Sequence, residues 1–237
     1  MYFVLIPRTT LLKLFPSGGR VAEIGTLRGN FSEEIIKTCR PDELYLIDPW
    51  EHQEREDYAL DGSNVSTEEH LKNLEHVRQR FSPEISRGQV RLLRAYSQDA
   101  AEDFEPQSLD WVYIDGLHSF DGVWSDLTLY APLIHPGGFI AGHDYNNGAL
   151  YSKMGFGVVD AVNKFAKDFG YQFICLTYES VATFVLARDA DHPNIKKMIA
   201  TILTSIPAIE INGFPERGFQ IRNIDLPNGQ VRDLHSF

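Results

Sequence analysis

The segment Arg20-Val-Ala-Glu-Ile-Gly-Thr-Leu-Arg-Gly29, with an acid further on at Asp48, constrains the fold more than any other feature of the chain. A short apolar strand enters a glycine turn, a helical stretch follows, and the next strand-like run ends in a carboxylate. That is the first half of an open α/β nucleotide-binding unit. In such units the ligand lies beyond the carboxyl ends of the strands, and an acid about 20 residues on holds ribose hydroxyls. A dinucleotide fingerprint would read G-x-G-x-x-G. This chain reads Glu23-x-Gly25-x-x-x-Gly29, with an acid where the first glycine should stand. A carboxylate is repelled by a pyrophosphate and attracted to a cation. The turn therefore points to a nucleoside that carries positive charge and no phosphate.

Strand-like runs at 21–24, 44–47, 90–93, 111–114, 139–141, 173–176 and 183–186 alternate with helical patterns. The alternation predicts a Rossmann-like three-layer α/β sandwich with a mostly parallel, seven-stranded sheet. No helix fits between the last two runs, so they form an antiparallel hairpin and the last strand is reversed. Asn30 with Glu33, and Ser66 with Glu69, have the spacing of capping boxes. Apolar stripes at Leu71, Leu74, Val77 and Phe81, at Val123, Leu127 and Tyr130, and at Val158, Val162, Phe165 and Phe169 mark core faces.

With 237 residues the chain is expected to form one domain, its core at about 18–188 and a helix and tail over 190–237. A net charge of −11 speaks against a nucleic-acid partner. The run 1–6 is too short for a signal or membrane segment, so no membrane partner and a cytoplasmic location are expected. Cys39 and Cys175 read as reduced core residues. Two stretches break the alternation. The acidic loop 51–65 is a lid or a surface insertion. The tail after Ala190 is expected to carry one amphipathic helix (Ile195, Met198, Ile199, Ile202) and then an irregular segment rich in Gly, Pro and Asn; it caps the site, mediates a homo-oligomer contact, or packs on an edge.

Residues 109–148 carry the second constellation. Asp115 ends the fourth run, and His143-Asp144 ends the fifth. Adjacent parallel strands bring these ends to one rim. Two carboxylates and an imidazole there make a divalent-cation site, the imidazole suiting manganese, iron or zinc better than magnesium. The alternative is that each residue caps a helix or binds backbone. His118, three residues after Asp115, is a candidate general base, with a cation ligand or a helix cap as its other readings. Ser97 and Gln98 follow the third run and could bond an adenine edge or ribose, although Ser97 also fits a plain N-cap. The remaining histidines, His52, His70, His76, His135, His192 and His235, are expected at the surface.

With these motifs in place, the chain resembles class I S-adenosylmethionine-dependent methyltransferases, and most of all the bacterial small-molecule O-methyltransferase group. The matching residues are Glu23-Ile-Gly25, Leu46-Ile-Asp48-Pro-Trp50, Tyr113-Ile-Asp115-Gly-x-His118, Pro136-Gly-Gly138 through Gly142-His-Asp-Tyr145, and Gly157-Val158 leading to Ala161-Val162. S-adenosylmethionine, a sulfonium nucleoside with a free amino group, has the chemistry that the first turn requires. The resemblance implies cofactor binding by Glu23, Gly25, Thr26, Gly29, Asp48, Trp50, Ser97, Gln98 and Asp115, with Trp50 either on the adenosine or in the core. The chain is also similar, more remotely, to the cation-dependent catechol and caffeoyl-type enzymes. There Asp115 falls on the first metal carboxylate, His118 on a lysine base, and His143-Asp144 on an Asp-Asn metal pair. The implied activity is methylation of a hydroxyl on a small-molecule acceptor (a sugar, macrolide or phenol), with a divalent cation at Asp115, His143 and Asp144. The rival readings are a nicotinamide-dependent oxidoreductase and a non-catalytic binding protein on the same fold.

Overall fold

The computed structural model describes residues 1–216 and 218–237. Its main sheet contains β1 (Tyr2–Val4), β2 (Arg20–Ile24), β3 (Glu43–Ile47), β4 (Val90–Leu93), β5 (Leu109–Ile114), β6 (Ile134–Tyr145), β7 (Gln172–Thr177), β8 (Ala182–Ala187) and β9 (Ala208–Glu210). The strands lie in the order β4-β3-β2-β5-β6-β8-β7-β1-β9. β2 through β6 are parallel, β8 runs antiparallel to both β6 and β7, and β9 antiparallel to β1. The Rossmann-like fold with a reversed final hairpin strand is as the sequence predicts, but the sheet has nine strands rather than seven. The two additions come from segments too short to carry a periodic signal. β1 pairs in parallel with β7, covering an edge that would otherwise expose unpaired backbone groups, and β9 then flanks β1.

The helices are α1 (Arg8–Leu11), α2 (Asn30–Cys39), α3 (Thr67–Arg80), α4 (Ser82–Ser86), α5 (Ser97–Ala101), α6 (Phe120–Tyr130), α7 (Ala149–Lys153), α8 (Val158–Phe169) and α9 (Pro193–Ser205). Strand alternation sorts them into two layers. Trp111 and Tyr113 of β5 pack into one core with Phe31, Ile35, Leu74, Val77, Ile195, Met198 and Ile202, from α2, α3 and α9. Val112 and Ile114, one position out of step, pack into the other core with Val123, Leu127, Tyr130, Val162 and Phe165, from α6 and α8. The stripes are therefore core, except at Leu71 and Phe169, which stay exposed. Both cysteines are free and buried. Among the described residues no helix is long and apolar enough to cross a membrane.

Two local expectations need correction. The Ser66 cap forms, its hydroxyl accepting from the Glu69 amide. Asn30 is not a cap. It is the first residue of α2, and Gly29 caps the helix in a left-handed conformation with φ 70°. Arg80 takes the two side chains of the expected capping box, donating to Asn30 Oδ1 and pairing with Glu33. The tail after α9 is not irregular either. β10 (Gln220–Asp225) and β11 (Val231–Ser236) form a separate antiparallel hairpin. The Asn147 side chain holds it to the end of β6, bonding the Phe219 carbonyl and the Ile221 amide.

Candidate functional site

The carboxyl ends of β2, β3 and β5 meet at the turn that leads into α2. Gly25 donates to the Ile47 carbonyl, and the Asp115 amide donates to Ile24. Gly25 has φ 87°, and a Cβ there would come within 1.9 Å of the Asp115 carbonyl oxygen, so only glycine lets the two strand ends approach so closely. Asp48 braces the same turn. Its Oδ2 accepts from the Leu27 amide at 2.8 Å and its Oδ1 from the Trp50 amide at 2.7 Å. This locks Leu27 in a left-handed conformation with φ 48°.

Above the rim lies a cavity of about 410 Å³. Of the expected cofactor residues, Glu23, Gly25, Thr26, Asp48, Ser97, Gln98 and Asp115 line it, as do His118, His143 and Asp144. Gly29 and Trp50 lie outside the lining. Gly29 sits against the Phe81 ring as the cap of α2. Trp50 is 0% exposed, with its indole N–H donating to the Leu27 carbonyl, so of its two readings the core is where it lies. The loop 51–65 folds over the rim and supplies Gln53, Arg55, Tyr58, Asp61 and Ser63 to the wall. No described residue of the C-terminal tail is among the lining residues.

Glu23 is 2% exposed and accepts a hydrogen bond from the Ser32 hydroxyl. Burial pushes its carboxyl up to about 8, against the opposing effect of Ser32. Burial likewise raises Asp48, against its backbone hydrogen bonds. A second group gathers at the ends of β5 and β6. Asp144 has φ 58°, an uncommon conformation at the register shift between Gly142 and Tyr145 in the pairing of β6 with β8. Its Oδ2 lies 3.1 Å from His118 Nε2 and 3.2 Å from His143 Nδ1. Asp115 Oδ1 lies 3.7 Å from His143 Nδ1, and its Oδ2 accepts from the Arg8 guanidinium at 3.0 Å. His118 Nδ1 meets Asp61 Oδ2 at 2.7 Å.

The proton balance follows from these contacts. Burial disfavours the charged form of His118, but hydrogen bonds to Asp144 and Asp61 outweigh it and push the imidazole up to about 10. Burial acts to raise Asp144, yet the two histidines hold it well below the usual carboxylate range. Burial raises Asp115, with His143 and Arg8 opposing. His118 is thus an imidazolium in this arrangement. Asp115, His118 and Asp144 each offer a ligand atom within 4.8 Å of the others, with His143 alongside. Two carboxylates and two imidazoles fit a divalent transition-metal ion. A ligand bond through His118 Nε2 would exclude that nitrogen from proton transfer.

Arg8 and Asp61 were not predicted. Arg8 stands more than 100 positions from Asp115, and its guanidinium lies 4.6 Å over the Phe31 ring. No spacing rule links such positions. His70 is a further correction. Expected at the surface, it is 4% exposed, lines the cavity, and has both ring nitrogens without a hydrogen-bond partner. It lies on α3 beside Leu74 and Val77, and its place in the apolar stripe was the available signal. Thr26 Oγ1 is also buried and unpartnered. Among the described residues seven carboxyl groups line the cavity (Glu23, Asp48, Glu51, Asp61, Asp115, Asp126, Asp144) against three arginines (Arg8, Arg28, Arg55) and the His118 imidazolium. This imbalance and the unpaired polar atoms fit a cationic ligand rich in hydrogen-bonding groups.

Residues 22–145, just over half of the chain, match the model of a family described as a methyltransferase domain. The chain is 28% identical over 150 residues to uncharacterized protein R132 of Acanthamoeba polyphaga mimivirus, covering 62% of this chain and 58% of that one. It is 27% identical over 143 residues to uncharacterized protein y4gI of Sinorhizobium fredii, covering 59% of this chain and 14% of that one. The chain thus spans less than two thirds of the length of either relative. Among solved structures it is similar to an O-methyltransferase family protein from Burkholderia thailandensis, with TM-score 0.56, 12% identity, and 77% and 55% of the two chains covered. It is also similar to TrmK of M. capricolum, solved with S-adenosylhomocysteine, with TM-score 0.53, 14% identity, and 78% and 70% covered. At these identities the likeness is one of fold.

Glu23 makes a stability prediction. Its folded pKa is raised, so between about 4.5 and about 8 the folded state binds more protons than the unfolded state, and stability falls as pH rises through that window. Glu23→Gln removes this slope. Denaturant titrations should show the variant gaining on wild type from pH 5 to pH 8 and the difference levelling off above. A difference independent of pH would mean that Glu23 is not held near neutrality.

Proposed function

Because the chain belongs to the methyltransferase-domain family, we propose that it is an S-adenosylmethionine-dependent methyltransferase acting on a hydroxyl oxygen of a small acceptor such as a sugar, macrolide or phenol. Glu23 carries the cofactor reading. It is a buried carboxylate on the wall of an acidic cavity, at the turn where a dinucleotide fold would place glycine against a pyrophosphate. A neighbouring ammonium or sulfonium would stabilise its ionised form; a phosphate would be repelled. This weighs against the nicotinamide reading.

When bound, S-adenosylmethionine supplies a methyl group on a positively charged sulfur, open to in-line displacement. Glu23 would hold the amino end of the methionine. Asp48 would face the ribose hydroxyls with the lone pairs its backbone contacts leave free, and Thr26 Oγ1 has hydrogen-bonding capacity to add. Ser97 and Gln98 would border the base. By the resemblance to cation-dependent enzymes, Asp115, His143 and Asp144 would hold a divalent cation, whose charge would lower the pKa of the acceptor hydroxyl. That leaves His118 Nε2 for the proton. Asp61 holds Nδ1, fixing the ring and stabilising the imidazolium that forms when Nε2 accepts the hydroxyl proton. The same carboxylates make the neutral ring the minor form, so the reactive state has His118 deprotonated beforehand.

Two measurements test this. In calorimetric titrations S-adenosylmethionine should bind and NAD should not; tight binding of NAD alone would end the proposal. His118→Ala should lower the rate of labelled-methyl transfer to a panel of phenols and glycosides by about 10²–10⁴-fold. Its affinity for S-adenosylhomocysteine should stay within about twofold. An unchanged rate would remove His118 as the base and leave the cofactor assignment standing.

A further inference from the structure

Four carboxyl side chains are buried among the described residues: Glu23, Asp48, Asp126 and Asp144. The proposed function uses three. Asp126, on α6, is 3% exposed and lines the cavity with Ser97, Gln98 and Gly116. Its Oδ1 accepts from the Ser97 hydroxyl at 2.5 Å. Its Oδ2 borders the Gly116 wall, 3.5 Å from where a Cβ on that glycine would stand. Among the described residues Oδ2 has no hydrogen-bond partner, and Ser97 is the only neighbour that counteracts the burial of the carboxyl. A buried carboxyl in this state is short of donors. Core packing does not require it, because a leucine would fill the space without the desolvation cost.

The order of strands says which part of a ligand Asp126 meets. Along the rim the sequence is β4, β3, β2, β5. Asp48 follows β3, Glu23 is the last but one residue of β2, and Asp115 follows β5. A nucleoside with its ribose at Asp48 and its amino-acid end toward Glu23 has its base on the β4 side. Ser97 opens α5 after β4, and Asp126 is bonded to it. We infer that Asp126 reads the base: its carboxyl accepts a hydrogen bond from the exocyclic amine of the cofactor's adenine and selects adenine over hypoxanthine. The inference rests on the S-adenosylmethionine reading above. Burial holds this carboxyl at about 7 against the effect of Ser97, so at pH 8 it is mostly the anion, an acceptor with nothing to offer a carbonyl oxygen.

The test compares S-adenosylhomocysteine with S-inosylhomocysteine, which carries a carbonyl oxygen in place of the amine and a proton on the neighbouring N1, by calorimetry at pH 8. Wild type should bind the adenosyl ligand at least about tenfold more tightly. In Asp126→Leu both ligands should bind within about twofold of each other. Asp126→Asn, closer in shape and able to donate to the oxygen through its amide, should lose the preference too, and it serves if the leucine variant does not fold. Equal binding of both ligands by wild type, or a tenfold preference that persists in either folded variant, overturns the inference and leaves the cofactor reading intact. Failure of wild type to bind S-adenosylhomocysteine at all overturns both.

Discussion

The structure is organised around an excess of carboxylates enclosed at one rim of a sheet. Burying such groups is costly unless each is paired or hydrogen-bonded. Two built-in cations relieve part of the cost: the Arg8 guanidinium on Asp115 and the His118 imidazolium between Asp61 and Asp144. Each ties a peripheral segment to the centre. Arg8 arrives at the rim because β1 docks on β7 and α1 follows directly. Asp61 arrives because the loop 51–65 folds back, held by Asn64 on the Gln53 backbone and Tyr58 on Ser63. Among the described residues Glu23 and Asp126 have no ion-pair partner, and burial raises the proton affinity of both. The balance remaining is what a positively charged, hydrogen-bonding ligand would complete.

The same charge arrangement divides the cavity. Around Glu23 and Asp48 the carboxylates are held by backbone amides and a serine, so their geometry does not depend on mobile cations. Around Asp115 and Asp144 they are held by side chains that can exchange partners: Arg8, His118 and His143. The first half is fixed by the fold itself. The second can redistribute protons or admit an ion, which is the property expected where chemistry takes place.

Much of this was legible in the sequence because strand periodicity and strand-end acids are local signals. The seven principal strands coincide with apolar runs, and Glu23, Asp48, Asp115 and Asp144 all line one cavity. What was not legible depends on long-range contact. Three-residue strands such as β1 and β9 have no period to read, and their partners are distant in sequence. The Arg8–Asp115 and Asp61–His118 pairs join segments that topology alone brings together. The Asn30–Glu33 pattern has the spacing of a cap, but Gly29 took that place because its left-handed backbone sets the entry angle of α2 against Phe81. Asp126 sits in a helix among core residues, where an acid looks like an exposed position until its burial is seen.

The central claim is that the rim of β2, β3 and β5 receives a cationic nucleoside with its amino end at Glu23. A crystal structure of the protein grown with S-adenosylmethionine tests it most directly. The account predicts density for the nucleoside in the cavity above Gly25, its ammonium in contact with Glu23 and its ribose beside Asp48. Density elsewhere, or a bound diphosphate lying against Glu23, would contradict it.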